Sequence, residues 1–224
     1  MSGAIAIFVK TPRLSPVKTR LAFKIGQENA ETFHLASSHS VSAVVQSLGM
    51  HDDVKGYFAV AEEQAVSHHY WQDLPCVWQG EGGLGERMAY VYHKLLESHG
   101  FVILVGADIP QMTVAELQKA TFFLSQNDQT QLVFAPSVDG GFWLVGGNCK
   151  IPLSIWNSVK YSEANTGEQF LNKIKKLGEV KILASLCDVD ELEDLVLLRK
   201  TLFDMDNPLP QQKELALFLR SLRL

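Results

Sequence analysis

Cysteine, basic charge and long apolar runs are all scarce in this sequence, and each shortage removes a class of protein. Among 224 residues only Cys76, Cys149 and Cys187 occur, far apart and without a C-x-x-C pair. An odd, scattered set makes neither a disulfide framework nor a zinc site and fits a reducing cytoplasm, so a cytoplasmic location is expected. Twenty Lys+Arg stand against 25 Asp+Glu, a formal net charge of −5. Duplex binders carry a dense basic surface, so no nucleic-acid partner is expected. The longest aliphatic runs, such as 101–105, are far too short for a membrane span. The apolar start has no basic segment before it and stops at Lys10, which reads as a first buried strand rather than a signal peptide. Neither H-E-x-x-H nor G-x-S-x-G is present, and no cysteine has an obvious base, so nucleophilic hydrolysis has no support.

What is present is the composition of a soluble globular domain, 46% hydrophobic and 20% charged. Short apolar runs at Ala4–Val9, Tyr57–Val60, Cys76–Trp78, Phe101–Val105, Leu132–Ala135, Phe142–Val145 and Val180–Leu186 read as strands. Helix-spaced segments fall at Gln27–Leu48, Glu62–Trp71 and Leu84–Leu96, and from the capping pair Thr113 and Glu116 to about Leu124. Alternating strands and helices predict a single α/β domain, a mostly parallel sheet with helices on both faces, over residues 1–204. The break at 205–210 precedes an amphipathic helix, Gln211–Leu224. Its apolar stripe suits packing on the domain, a homodimer contact or a weak membrane anchor.

In open parallel sheets ligands bind beyond the carboxyl ends of the strands, which directs attention to the loops there. The first runs from Lys10 to Arg20, with four cations in eleven residues (Lys10, Arg13, Lys18, Arg20), no acid and no glycine. It is therefore not a Walker A loop. Pro12 and Pro16 restrict it, and its cations with the Thr11 and Thr19 hydroxyls suit phosphate oxygens. The plainer alternative is a solvated basic loop. The second loop, Gln79-Gly80-Glu81-Gly82-Gly83-Leu84-Gly85, satisfies G-x-G-x-x-G but lies far from the opening βαβ unit. It reads better as a backbone that approaches a base or ribose, with Gly80, Gly82 and Gly85 beside Arg87.

Asp108 follows the most apolar strand and is placed to hold Mg²⁺ (or Mn²⁺) against phosphate oxygens; a loop Asp bonding its own backbone is the alternative. Asp139-Gly140-Gly141 is first a turn signal, and functionally the acceptor side of a cleft. Five carboxylates crowd residues 188–194. They suit a helix N-terminus with Asp190 as N-cap, or a second metal carboxylate from Asp188 or Asp190.

Four ordered motifs then resemble a known family. Phe8-Val9-Lys10-Thr11-Pro12 with Val17-Lys18-Thr19-Arg20-Leu21-Ala22, the stretch Gln79–Met88, Gly106-Ala107-Asp108-Ile109-Pro110, and 136–146 around Asp139-Gly140-Gly141 are similar to the bacterial DUF2064 proteins. That group is glycosyltransferase-A-like, within the nucleotide-diphospho-sugar transferase superfamily. The first loop and the segment from Asp188 also resemble the 2-phospholactate guanylyltransferases. The resemblance implies a GT-A fold, a nucleotide or nucleotide-sugar substrate, a small-molecule acceptor and a divalent metal. It assigns Lys10, Lys18 and Arg20 to phosphate, Asp108 to the metal and the stretch Gly80–Gly85 to the base. Asp108 stands alone rather than in an Asp-x-Asp pair, which departs from many sugar transferases. Nucleotidyl transfer, with Lys18, Arg20, Asp108 and Asp139 as the catalytic candidates, is thus the leading expectation. Glycosyl transfer with Asp139 as base, and non-catalytic nucleotide binding, are the alternatives.

Overall fold

The apolar runs assemble into one seven-stranded sheet. The computed structural model describes residues 2–50, 52–126 and 129–222. The strands are β1 (Gly3–Val9), β2 (Val54–Val60), β3 (Cys76–Trp78), β4 (Phe101–Gly106), β5 (Gln131–Pro136), β6 (Phe142–Gly147) and β7 (Glu179–Ile182), in spatial order β3-β2-β1-β4-β6-β5-β7. Pairing is parallel except at β6, which runs antiparallel to both β4 and β5. The turn at Asp139-Gly140-Gly141 causes that reversal: it closes a hairpin too short for a crossover helix.

The helices are α1 (Thr19–Ile25), α2 (Gln27–Gly49), α3 (Leu84–Leu96), α4 (Val114–Ser125), α5 (Leu153–Asn157), α6 (Thr166–Ile174), α7 (Leu192–Phe203) and α8 (Pro210–Ser221). Side chains alternate across the strands and feed two cores. Ile5, Ile7, Ile103 and Val105 pack with α2 and α4 on one face. Ala4, Ala6, Val102 and Leu104 pack with α3 and α6 on the other. A third cluster, including Leu21, Phe33, Leu195, Leu198, Leu215 and Leu219, joins α1, α2, α7 and α8. Thr113 caps α4 as its spacing predicts, its hydroxyl accepting from the Glu116 amide.

Three sequence expectations need correction. Glu62–Trp71 is not one helix but two single 3₁₀ turns, at Glu63–Ala65 and His69–Trp71. Ala65 and Trp71 are both buried, and six residues apart they would point to different faces of a continuous helix. The last strand stops at Ile182, and Leu186 forms only an isolated bridge to Ser137. Between them the Ala184 carbonyl is taken by the Trp143 indole N–H at 3.1 Å rather than by a ladder partner. Glu191, not Asp190, stands at the N-cap of α7, where Asp194 Oδ2 accepts from the Glu191 and Asp190 amides. The terminal helix begins at Pro210, and its expected end at Leu224 lies outside the described residues.

Candidate active site

A cleft of about 700 Å³ opens at the carboxyl ends of β1 and β4, beside the start of β6. Its lining includes Lys10, Lys18, Thr19, Arg20, Gln79, Asp108, Asp139, Gly141 and Asp190, residues from all five segments singled out in the sequence.

Lys18 is the centre of this arrangement. Its ammonium donates to Asp190 Oδ1 at 2.7 Å and to Asp108 Oδ2 at 3.0 Å. The lysine side chain is 8% exposed, against 34% for Asp108 and 49% for Asp190. Burial alone would pull its pKa down, but the charges of Asp108 and Asp190 prevail and hold it above the ordinary lysine value. Asp108 responds reciprocally: burial pushes it up, and Lys18 holds it below the usual carboxylate range. Among the described residues Asp188 has no such cation. Burial, then the charges of Asp108, Asp139 and Asp190, push it up to about 7.

The surroundings fix these groups. Lys18 sits in the left-handed region (φ 44, ψ 47) immediately before α1, behind the buried Val17. On α2, Ser37 donates to the Ala107 carbonyl at 2.6 Å and ties the Asp108 loop to the helix. His34, one turn earlier, donates from Nε2 to the Lys10 carbonyl at 2.8 Å; burial lowers its pKa. Gln79 is buried, and its amide bridges two strand ends by donating to Ala59 O and Val9 O.

The other candidates divide. Lys10 lines the cleft, and its ammonium has no ion partner among the described residues. Arg20 reaches Glu191 across the rim at 3.3 Å. Arg13 points away, 82% exposed and 3.9 Å from Glu31. Thr11 is fully buried and its Oγ1 accepts the Trp71 indole N–H at 3.0 Å, so its hydroxyl is structural, and Pro12 is buried beside it. Gly80, Gly82, Gly85 and Arg87 are not part of the lining: Arg87 Nε donates to Gly82 O at 2.9 Å, and Gly85 packs against the Trp156 carbonyl. Asp188 is not among the lining residues, and the charges of Asp108, Asp139 and Asp190 in the lining act on it.

Asp139 also lines the cleft; its Oδ1 accepts from the Gly141 amide at 2.8 Å, so one of its oxygens shapes its own turn. Gly140 has φ +91, and a Cβ there would overlap the Ala164 carbonyl. The Gly167 amide donates to Gly140 O at 2.8 Å. The turn, the segment before α6 and the first turn of α6 therefore form one wall, which adds Tyr161, Ser162, Glu163 and Thr166 to the cleft. Sequence reading missed this segment and His34. Its local signs are weak, since Ser162 (φ 64) takes a backbone shape that no flanking pattern announces.

The sequence profile of the DUF2064 proteins, described as uncharacterized proteins conserved in bacteria, matches residues 43–163, more than half of the chain. The chain belongs to the DUF2064 family. No curated protein matches it. Among solved structures, a protein from Desulfovibrio desulfuricans G20 with the provisional name nucleotide-diphospho-sugar transferase superposes with TM-score 0.80 at 22% identity, covering 98% of each chain. A cytidylyltransferase from Leptospira borgpetersenii gives 0.56 at 11% identity over 98% of this chain and 94% of its own. A 4-diphosphocytidyl-2C-methyl-D-erythritol synthase from Anaerococcus prevotii gives 0.53 at 10% over 88% and 93%. These likenesses establish for this DUF2064 chain the fold of the nucleotide-diphospho-sugar transferases. Among the described residues no helix is long and apolar enough to cross a membrane.

Proposed function

We propose that the protein is a Mg²⁺-dependent transferase that moves a nucleotidyl group from a nucleoside triphosphate to a small phosphorylated acceptor. The observation that carries this reading is the meeting of Lys18, Asp108 and Asp190 in a cleft that Lys10 also lines. In such a transfer an acceptor phosphate oxygen bonds to the α-phosphorus, the bond to the bridging oxygen breaks, and pyrophosphate leaves with the electron pair. The nucleophile is already an anion, so no base is needed, and catalysis rests on positioning and cationic stabilisation. Lys10 and Lys18 would bind and orient phosphate oxygens, with Arg20 at the rim.

The donor set suits Mg²⁺. Asp108 and Asp190 offer hard carboxylate oxygens, with Asp188 close by, and Mg²⁺ is commonly held by one or two carboxylates completed by substrate phosphates. No group of three ligating side chains able to hold a metal occurs among the described residues. A bound ion would supply charge neutralisation on the phosphates. The names of the Leptospira and Anaerococcus structures agree with cytidylyl chemistry. The second reading, glycosyl transfer from a nucleotide sugar, is favoured by the carboxylate of Asp139 on the acceptor wall and by the name of the Desulfovibrio structure.

Calorimetric titration with the four common nucleoside triphosphates, then UDP-glucose and GDP-mannose, each with and without Mg²⁺, separates the readings. Tight Mg²⁺-dependent binding of one triphosphate is expected. Asp108→Ala should abolish the Mg²⁺ dependence, and Lys18→Ala should weaken triphosphate binding roughly ten- to a hundredfold, more than nucleoside binding. Preference for a nucleotide sugar would move the assignment to glycosyl transfer. Nucleotide binding without product from any acceptor would leave a binding protein.

A further inference from the structure

The Lys18 ammonium occupies the space between Asp108 and Asp190 that a divalent cation would need. Its stem has little freedom to leave. Val17 before it is buried, the Lys18 carbonyl accepts the Ala22 amide at 2.8 Å, and the side chain is 8% exposed. Building on the metal–nucleotide reading above, we infer that the ligand this cleft takes is the preformed chelate of a divalent metal with a nucleotide, and that Lys18 holds the cation position until a phosphate arrives.

The reason is a matter of partners. A free divalent ion entering the cleft has to displace a buried ammonium from both carboxylates, and leaves it desolvated without an acceptor. A chelate brings phosphate oxygens with the metal, so Lys18 exchanges two carboxylates for phosphate in the same event. No other cleft cation can make that exchange. Arg20 is at the rim with Glu191, and Lys10 has no carboxylate to release among the described residues. Asp108 and Asp190 are thereby kept as a pair, neutralised and ordered, 82 residues apart in sequence.

Mn²⁺ is the probe, because the free ion is counted directly by electron paramagnetic resonance. On nucleotide-free protein, Lys18→Met and Lys18→Gln, each checked for a cooperative melt, should bind Mn²⁺ at least tenfold more tightly than the unsubstituted chain. Adding Asp108→Asn to Lys18→Met should cancel the gain. Equal affinity in the unsubstituted chain and both variants overturns the inference, as does no binding in either variant. An equal gain in Lys10→Met also overturns it, by showing a general charge effect. Calorimetry of the unsubstituted chain with each triphosphate and Mn²⁺ keeps the two ideas apart. If Mn²⁺-dependent nucleotide binding is present while the Lys18 variants show no gain, only the role of Lys18 falls. If it is absent for all four triphosphates, the metal–nucleotide reading falls as well.

Discussion

His34 lies on α2 beneath the basic loop, 7% exposed, with its ring bonded to the Lys10 carbonyl. Its pKa is lowered first by burial and further by the positive charge of Lys18, while the hydrogen bond to the Lys10 carbonyl and the charges of Asp108 and Glu62 oppose the shift. Between the lowered folded value and the ordinary value of about 6.5, the unfolded chain binds the extra proton. Stability from this residue is therefore fully present above about pH 6.5 and is lost as pH falls through the folded pKa. Melting curves across pH 5 to 8 should show a steeper acid loss in the unsubstituted protein than in His34→Gln. Parallel slopes would refute the assignment. In the sequence His34 was one of several polar residues on an amphipathic helix, and nothing local marked it as buried. Thr11 is the opposite case: a hydroxyl in a phosphate-like loop that the fold commits to Trp71, 60 residues away.

The hairpin between β5 and β6 and the segment before α6 act as a single element. Gly140→Ala meets two penalties there, a positive φ and the Ala164 carbonyl. A non-glycine residue in such a region costs of order 1–3 kcal/mol, and the steric overlap adds to it. Urea denaturation should show a loss of at least that size, together with weaker binding of any ligand reaching Asp139. A loss under about 0.5 kcal/mol would mean the two segments are not welded. The glycine pair was legible as a turn from Asp139-Gly140-Gly141 alone. Its second purpose, letting a backbone from beyond residue 160 close against it, was not, because turn chemistry is local and close approach is a tertiary fact.

The molecule depends on α8 in the same non-local way. Leu215 and Leu219 are fully buried against the cluster that holds Phe33, Leu195 and Leu198, and Gln212 donates to the Pro110 and Met112 carbonyls at 2.8 and 3.0 Å. Full burial of such a leucine is worth about 1.5–3 kcal/mol, so losing α8 removes a large share of an ordinary stability of about 5–15 kcal/mol. A chain ending at Asp204 should therefore accumulate in the insoluble fraction or bind hydrophobic dyes. A soluble 1–204 fragment with a cooperative melt would show α8 to be an appendage.

Strand positions, the order of the loops and the acidic and basic segments were set by the sequence itself, since apolar period and Gly/Pro punctuation act over a few residues. Local pattern also placed Lys10, Lys18, Asp108 and Asp139 in loops at the ligand-binding edge. Only the tertiary structure decided which charges meet. Lys18 is bound by Asp108 and Asp190, 90 and 172 residues on, because β1 pairs with β4 and the chain after β7 passes behind the Asp108 loop, where the Val189 amide donates to the Asp108 carbonyl. Coulomb attraction falls with distance in space, not along the chain, so a sequence shows the charges and the fold assigns their partners.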